Sequence, residues 1–235
     1  MLTDIGKEKG MKVGLIYTST TPELIELVER EVKKQLGNDV ELYSLQDPSV
    51  LGDTRDAGYV TTPAAARLVS MYMKAAQEGC EAMLNLCSSV GEVADAAQDI
   101  ADYIGVPIVR VDEEMCREAV RRGVKIGVMA TLPTTLEPTK NTIKRVSREC
   151  GKHVELIDCL VEGAFGLDQE QFKKRMADSA GTIADKVDVI VFAQGSMAYC
   201  EEYIAGLYGK VVVSSPRFGA AELKKALIKK GAISA

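Results

Sequence analysis

The sequence predicts an α/β protein of two similar lobes, each a mainly parallel four-stranded sheet flanked by helices, related by pseudo-two-fold symmetry with a site between them. Three observations predict it. Short runs rich in β-branched residues alternate with longer amphipathic segments along all 235 residues, the pattern of parallel strands joined by crossover helices. The order of elements occurs twice: KVGLIYTSTTPE from Lys12 is answered by KIGVMATLPTTLEP from Lys125, and DVELYSL from Asp39 by HVELIDC from His153. Finally, Cys87 and Ser196 end the third strand of each half at similar distances from Lys12 and Lys125, which pairs them as repeat partners.

The first strand is expected at 12–17 and is followed by a helix over 22–36, whose start is marked by Thr21 as N-cap and Pro22 in the first turn. A strand at 39–44 leads into a loop from Gln46 to Thr61 containing Pro48, Gly52 and Gly58, long enough to serve as a lid. Thr62 and Pro63 repeat the cap signal before a helix over 63–79. The third strand, 82–87, ends at Cys87, and Ser89-Val-Gly-Glu92 reads as a capping box opening a helix over 90–104. A strand at 106–111 and a helix at 113–122 follow. The second half is expected as strand 124–130, helix 137–150, strand 153–158, helix 170–185, strand 187–193, helix 197–207, strand 210–214 and helix 218–230. The lobes then comprise residues 1–112 with 216–235, carrying Cys87, and residues 113–215, carrying Ser196.

Composition narrows the function. With 46% hydrophobic and 27% charged residues the chain is that of an ordinary globular protein. A net charge of −5, with only short basic pairs such as Arg121-Arg122, Lys224-Lys225 and Lys229-Lys230, argues against nucleic acid as partner. No stretch is apolar enough for a signal sequence or a membrane span, so a cytoplasmic location is expected. Six irregularly spaced cysteines in a reducing compartment read as free thiols. The one histidine, His153, reads as a surface residue, and there is no C-x-x-C or H-E-x-x-H spacing, so no metal site and no imidazole-assisted nucleophile is expected.

In open parallel sheets ligands bind beyond the carboxyl ends of the strands, where loops and helix N-termini converge. Two halves facing each other enclose one cleft, with Cys87 and Ser196 as candidate catalytic residues. The candidate binding residues are Thr18, Ser19 and Thr20 after the first strand, Ser88 and Ser89 beside Cys87, Thr131, Thr134 and Thr135 after the fifth strand, and Gln194, Gly195 and Met197 around Ser196. Hydroxyls and helix N-terminal N–H groups favour a small anionic ligand.

With these residues the chain resembles the aspartate/glutamate racemase superfamily, which includes hydantoin racemases, maleate isomerases and arylmalonate decarboxylases. The resemblance rests on the repeated layout, on NLCSSVGEVAD around Cys87, on GVMATLPTT around Thr131 and on FAQGSMAYC around Ser196. It implies cofactor-independent chemistry in which two cysteines, one per half, face opposite sides of a carbon next to a carboxylate. Cys87 matches the first. At the second, where Gly-Cys-Thr is expected, this chain reads Gly195-Ser196-Met197, and the nearest thiol is Cys200. A serine hydroxyl is a poor acid or base without an activating partner, but it can bind an enolate oxygen. The expected function is therefore a cofactor-independent isomerase or racemase-like enzyme with one cleft thiol, acting on a small acid or amino acid derivative. A decarboxylase of a malonate-type acid is the alternative, and a non-catalytic small-anion binding protein is the third. Association into a homodimer or higher homo-oligomer is compatible with each.

Overall fold

A computed structural model describes residues 10–164 and 166–234. The chain runs β1 (Lys12–Tyr17), α1 (Pro22–Leu36), β2 (Glu41–Gln46), α2 (Pro48–Ala57), α3 (Thr62–Gln77), β3 (Ala82–Asn85), a 3₁₀ turn (Ser88–Val90), α4 (Gly91–Ala96), α5 (Gln98–Ile104) and β4 (Ile108–Arg110). It continues with α6 (Glu113–Arg122), β5 (Lys125–Ala130), α7 (Pro133–Glu149), β6 (Glu155–Leu160), α8 (Gln169–Gly181), a 3₁₀ turn (Ala184–Lys186), β7 (Val189–Phe192), a 3₁₀ turn (Gly195–Cys200), α9 (Glu201–Tyr208), β8 (Val211–Ser214) and α10 (Ser215–Lys230). The strands form two four-stranded sheets of the same order, β2-β1-β3-β4 and β6-β5-β7-β8, with every pairing parallel.

Both faces of each sheet are covered, which is why the central strands read as unbroken apolar runs. Alternate residues of β1 enter different cores. Val13, Leu15 and Tyr17 pack with Leu24, Val28 and Val32 of α1 and with Ala220, Leu223 and Leu227 of α10. Ile16 faces Leu68 and Tyr72 of α3 and Met83 of β3. The C-terminal helix therefore returns from the second sheet to pack on the first. Gly219 makes the return possible, because a Cβ there would lie 2.8 Å from Val111 Cα in the connection between the two sheets.

Several elements differ from the sequence expectation. The segment from Gln46 to Thr61 holds α2 rather than a loop: Pro48 and Gly58, read there as loop signals, are the helix's start and stop. Asp47 accepts from the Ser49 N–H (3.0 Å), and Gly58 closes the helix in the left-handed region at φ 80°. Thr61, not Thr62, caps α3, accepting from the Ala64 N–H at 3.3 Å. The expected helix over 90–104 is broken into a 3₁₀ turn and two short helices. The Ser89 capping box does not form, and Val90 occupies the N-cap of α4 without a side-chain bond. Pro133 starts α7 four residues before the expected 137, leaving Pro138 inside the helix. β2 and β6 each begin two residues later than expected.

Among the described residues no helix is long and apolar enough to cross a membrane. All six cysteines are free thiols: Cys80, Cys116, Cys159 and Cys200 are buried, Cys150 is exposed and Cys87 is half-buried. His153 is exposed.

Candidate active site

The carboxyl ends of β1, β3, β5 and β7 open into a cleft of about 890 Å³ between the sheets. Thr18, Ser19, Thr20, Cys87, Ser88, Ser89, Thr131, Thr135, Gln194, Gly195 and Ser196 all line it. Two expected residues do not. Met197 is completely buried in the core beneath β5 and β7, because the 3₁₀ turn, closed by its N–H to the Gln194 carbonyl at 3.1 Å, directs its side chain inward. Thr134 misses the cleft because α7 begins at Pro133, and successive helical residues point about 100° apart, so Thr135 takes the cleft side. Cys200, the nearest further thiol, is fully buried in the same core as Met197 and does not line the cleft.

Cys87 is held where β3 gives way to the first 3₁₀ turn, as the residue capping that turn in an extended conformation (φ −138°, ψ 112°). Burial pushes its thiol above the ordinary value. The Thr18 hydroxyl, the Ser89 and Val90 N–H groups and the Ser89 hydroxyl act the other way, favouring the thiolate. Thr18 is itself completely buried, and its hydroxyl has no hydrogen-bond partner among the described residues.

The second lobe repeats this arrangement with different chemistry. Gln194 accepts from the Thr131 N–H at 2.7 Å through Oε1 and donates through Nε2 to Thr131 Oγ1 at 2.7 Å. Strand register fixes the equivalence. Ile16 of β1 pairs with Asn85, and Met129, at the same position of β5, pairs with Phe192. Cys87 and Gln194 each lie two residues beyond that pair, and each caps a 3₁₀ turn in an extended conformation. Thr18 and Thr131 are each the first residue after the central strand. The counterpart of Cys87 is therefore Gln194, and that of Ser89 is Ser196. The sequence pairing of Cys87 with Ser196 was displaced by two residues, because it matched small nucleophilic side chains where hydrogen-bond register decides equivalence. Ser196 nonetheless stands on the cleft wall one turn from Gln194. Across the floor, Ser89 Oγ and Thr135 Oγ1 join the two lobes by a hydrogen bond of 2.7 Å.

Other cleft residues come from helix flanks, which a rule based on strand ends does not reach. Phe172 and Tyr199 pack on one wall with ring centroids 5.8 Å apart and planes tilted by 36°. Asp168 caps α8 by accepting from the Gln171 N–H at 2.9 Å. Glu201 is bound by the Ser214 hydroxyl and by Arg217 at 2.5 and 2.7 Å, so this arginine is already neutralised. Glu23 lies at the start of α1, where its own N–H and then the Thr21 hydroxyl hold it below the usual carboxylate range. Its position after the Thr21 cap was a legible signal. Leu51 brings α2 to the same cleft. Among the described residues no group of three or more His, Cys, Asp and Glu is placed to hold a metal ion.

Two pseudo-symmetric parallel-sheet lobes meeting at a thiol-bearing, hydroxyl-lined cleft place the chain with the two-lobed α/β racemases, and solved structures share the architecture. A glutamate racemase from Bacillus anthracis matches at a TM-score of 0.74 with 17% identity, covering 95% of this chain and 84% of its own. Allantoin racemase from Klebsiella pneumoniae matches at 0.64 with 15% identity over 94% of this chain and 89% of its own. Aspartate racemase from Picrophilus torridus matches at 0.63 with 13% identity over 94% and 95%. No curated protein is significantly similar in sequence. Residues 13–223 match the family model described as Asp/Glu/Hydantoin racemase, and the chain belongs to that family. Its class is thereby that of racemase-type isomerases of small acids or amino acids.

Proposed function

We propose that the protein is a cofactor-independent isomerase acting at a carbon next to a carboxylate, with Cys87 as the single cleft thiol. The observation that carries this reading is the placement of Cys87: it lines the cleft between the lobes and no other cysteine among the described residues does, and the Thr18 hydroxyl and the N–H groups of Ser89 and Val90 favour its thiolate. The thiolate removes the α-proton and the charge passes to the carboxylate oxygens; configuration changes when a water protonates the planar enolate on its opposite face and the hydroxide left behind takes the thiol's proton, whereas return from Cys87 to the same face gives exchange with retention. Gln194 and Ser196, from the opposite lobe, supply hydrogen bonds to the enolate oxygens, an electrostatic role that needs no second base. The two halves that share the substrate are taken as residues 1–112 with 216–235 and residues 113–215, a division supported by the packing of α10 on α1 and β1.

One observation favours a second reading. Burial raises the Cys87 thiol above its ordinary value against the groups that favour the thiolate, and this direction favours the protonated form that a proton donor in a decarboxylation uses.

The experiment is proton NMR in deuterated water with both enantiomers of aspartate and of glutamate, with allantoin, and with substituted malonates. Deuterium entering the α-position and lost in Cys87→Ala is the expected result. Exchange needs the thiolate, so its rate rises as pH passes upward through the raised thiol range. Decarboxylation, needing the thiol, falls over the same range. Full exchange in Cys87→Ala overturns the assignment. Binding across the whole panel without exchange or loss of carbon dioxide identifies a binding protein instead.

A further inference from the structure

Two buried polar side chains lie beneath Cys87 and have no equivalent in the other lobe. Tyr72, completely buried on α3, donates its hydroxyl to Asn85 Oδ1 at 3.0 Å; Asn85, 1% exposed at the end of β3, donates Nδ2 to the Cys87 carbonyl at 3.1 Å. At the corresponding end of β7 stands Phe192, fully buried among Met129, Ile190 and Met197. The two strand ends have the same register and lead into the same kind of turn, so the pseudo-symmetry supplies an internal control. The fold can be closed at this point by an apolar residue, and in one lobe it is. Placing a polar pair in a core costs free energy unless each group is bonded, and the pair appears only where a thiol follows.

Resting on the reading of Cys87 given above, we propose that Asn85 and Tyr72 are positioning residues, which fix the plane of the peptide after Cys87 so that the next N–H groups converge on its sulfur. Asn85 grips the Cys87 carbonyl, and Tyr72 orients the Asn85 amide, so that Nδ2 rather than Oδ1 faces that carbonyl. The peptide held in this way leads directly into Ser88–Val90, whose Ser89 and Val90 N–H groups favour the thiolate. Without the tether the turn keeps its chain path but loses the angle at which those N–H groups meet the sulfur.

The test reads thiol reactivity and needs no substrate. In a Cys150→Ser background, which removes the exposed thiol, iodoacetamide modification of Cys87 is followed by peptide mass spectrometry as a function of pH. The other titratable and charged groups near the pair are Arg110 and Asp95, which act on Tyr72 through space and stay unchanged in every variant. Asn85→Leu is expected to slow Cys87 modification at neutral pH about fivefold, as one oriented hydrogen bond is lost, and to move the midpoint upward. Tyr72→Phe, which leaves the Asn85 bond to Cys87 in place, is expected to give a smaller effect in the same direction. The double variant Tyr72→Phe with Asn85→Leu no longer leaves the Tyr72 hydroxyl orphaned and so recovers part of the folding stability that Asn85→Leu loses, but with the Cys87 carbonyl untethered it is expected to keep the slow Cys87. A purely structural role predicts the reverse, with reactivity recovering alongside stability. A wild-type rate and midpoint at Cys87 in the folded Asn85→Leu or double variant overturns the proposal. If instead the tether behaves as expected while Cys87→Ala retains turnover, the proposed chemistry fails and the positioning stands.

Discussion

Thr18 and Thr131 occupy equivalent places after the central strands, but the residue across from Thr18 is a thiol and the one bonded to Thr131 is an amide, and this difference sets what the cleft can do. A base on each face would require a thiol at Gln194, where the backbone already presents a capping position and a threonine partner. Gln194→Cys is therefore expected to create the second thiol in register with Cys87. Combined with Cys87→Ala it should support α-proton exchange in the enantiomer that the wild type exchanges more slowly. Ser196→Cys in the same background should give far less, and chiral chromatography of the deuterated product decides between them. Cys87 was legible in the sequence because a thiol at a strand end followed by small polar residues is uncommon among buried cysteines. The true partner was not legible, since a glutamine carries no nucleophile to draw attention. Met197 and Thr134 illustrate the same limit: a residue adjacent in sequence to the site turns away from it when the chain becomes helical.

At the scale of elements, the alternation of strands and helices was readable because each parallel strand is buried on both faces and each helix on one. Termini were less so. Pro48 and Gly58 are found both in loops and at helix ends, and only the packing of Val50 and Leu51 into the core selects the helix. The two threonines before Pro63 show how a cap is chosen by geometry. Thr61 has the extended backbone and reaches the Ala64 N–H, whereas Thr62 is already helical. Thr61→Ala is expected to cost about 1 kcal/mol in urea denaturation and Thr62→Ala much less. An equal loss at both positions would show that the cap is shared.

Across the whole molecule the two lobes are tied behind the cleft by one buried guanidinium. Arg110, at the end of β4, bonds Asp112 in the connection through Nε and Nη2, both at 3.0 Å, Asp95 of α4 at 2.6 Å, and Thr142 of α7 at 2.9 Å. Gly91 leaves room for it, since a Cβ there would meet the guanidinium at 2.4 Å. Asp112 is only 1% exposed, so removing the arginine strands a buried carboxylate. Arg110→Ala is expected to lower stability by about 3–5 kcal/mol, whereas Arg110→Met with Asp112→Leu should recover most of the loss. Failure of the double variant to recover would mean that the link to Thr142 and Asp95 carries the stability instead. No motif announced this network: its members are scattered along the sequence, and each alone reads as an ordinary surface charge or helix residue.

The return of α10 to the first sheet has a consequence for the order in which the protein can be made. On the ribosome, β5 to β8 and the helices between them emerge as one uninterrupted stretch and, apart from Phe218 at the start of α10, have their core partners once β8 is out. The earlier-synthesised sheet has to wait: the face of β1 bearing Val13 and Leu15 lacks Leu223 and Leu227 until the last helix appears. The half that is translated first thus waits for a helix made after the whole second sheet, and the thiol end of β3 is completed only once β8 and α10 have emerged.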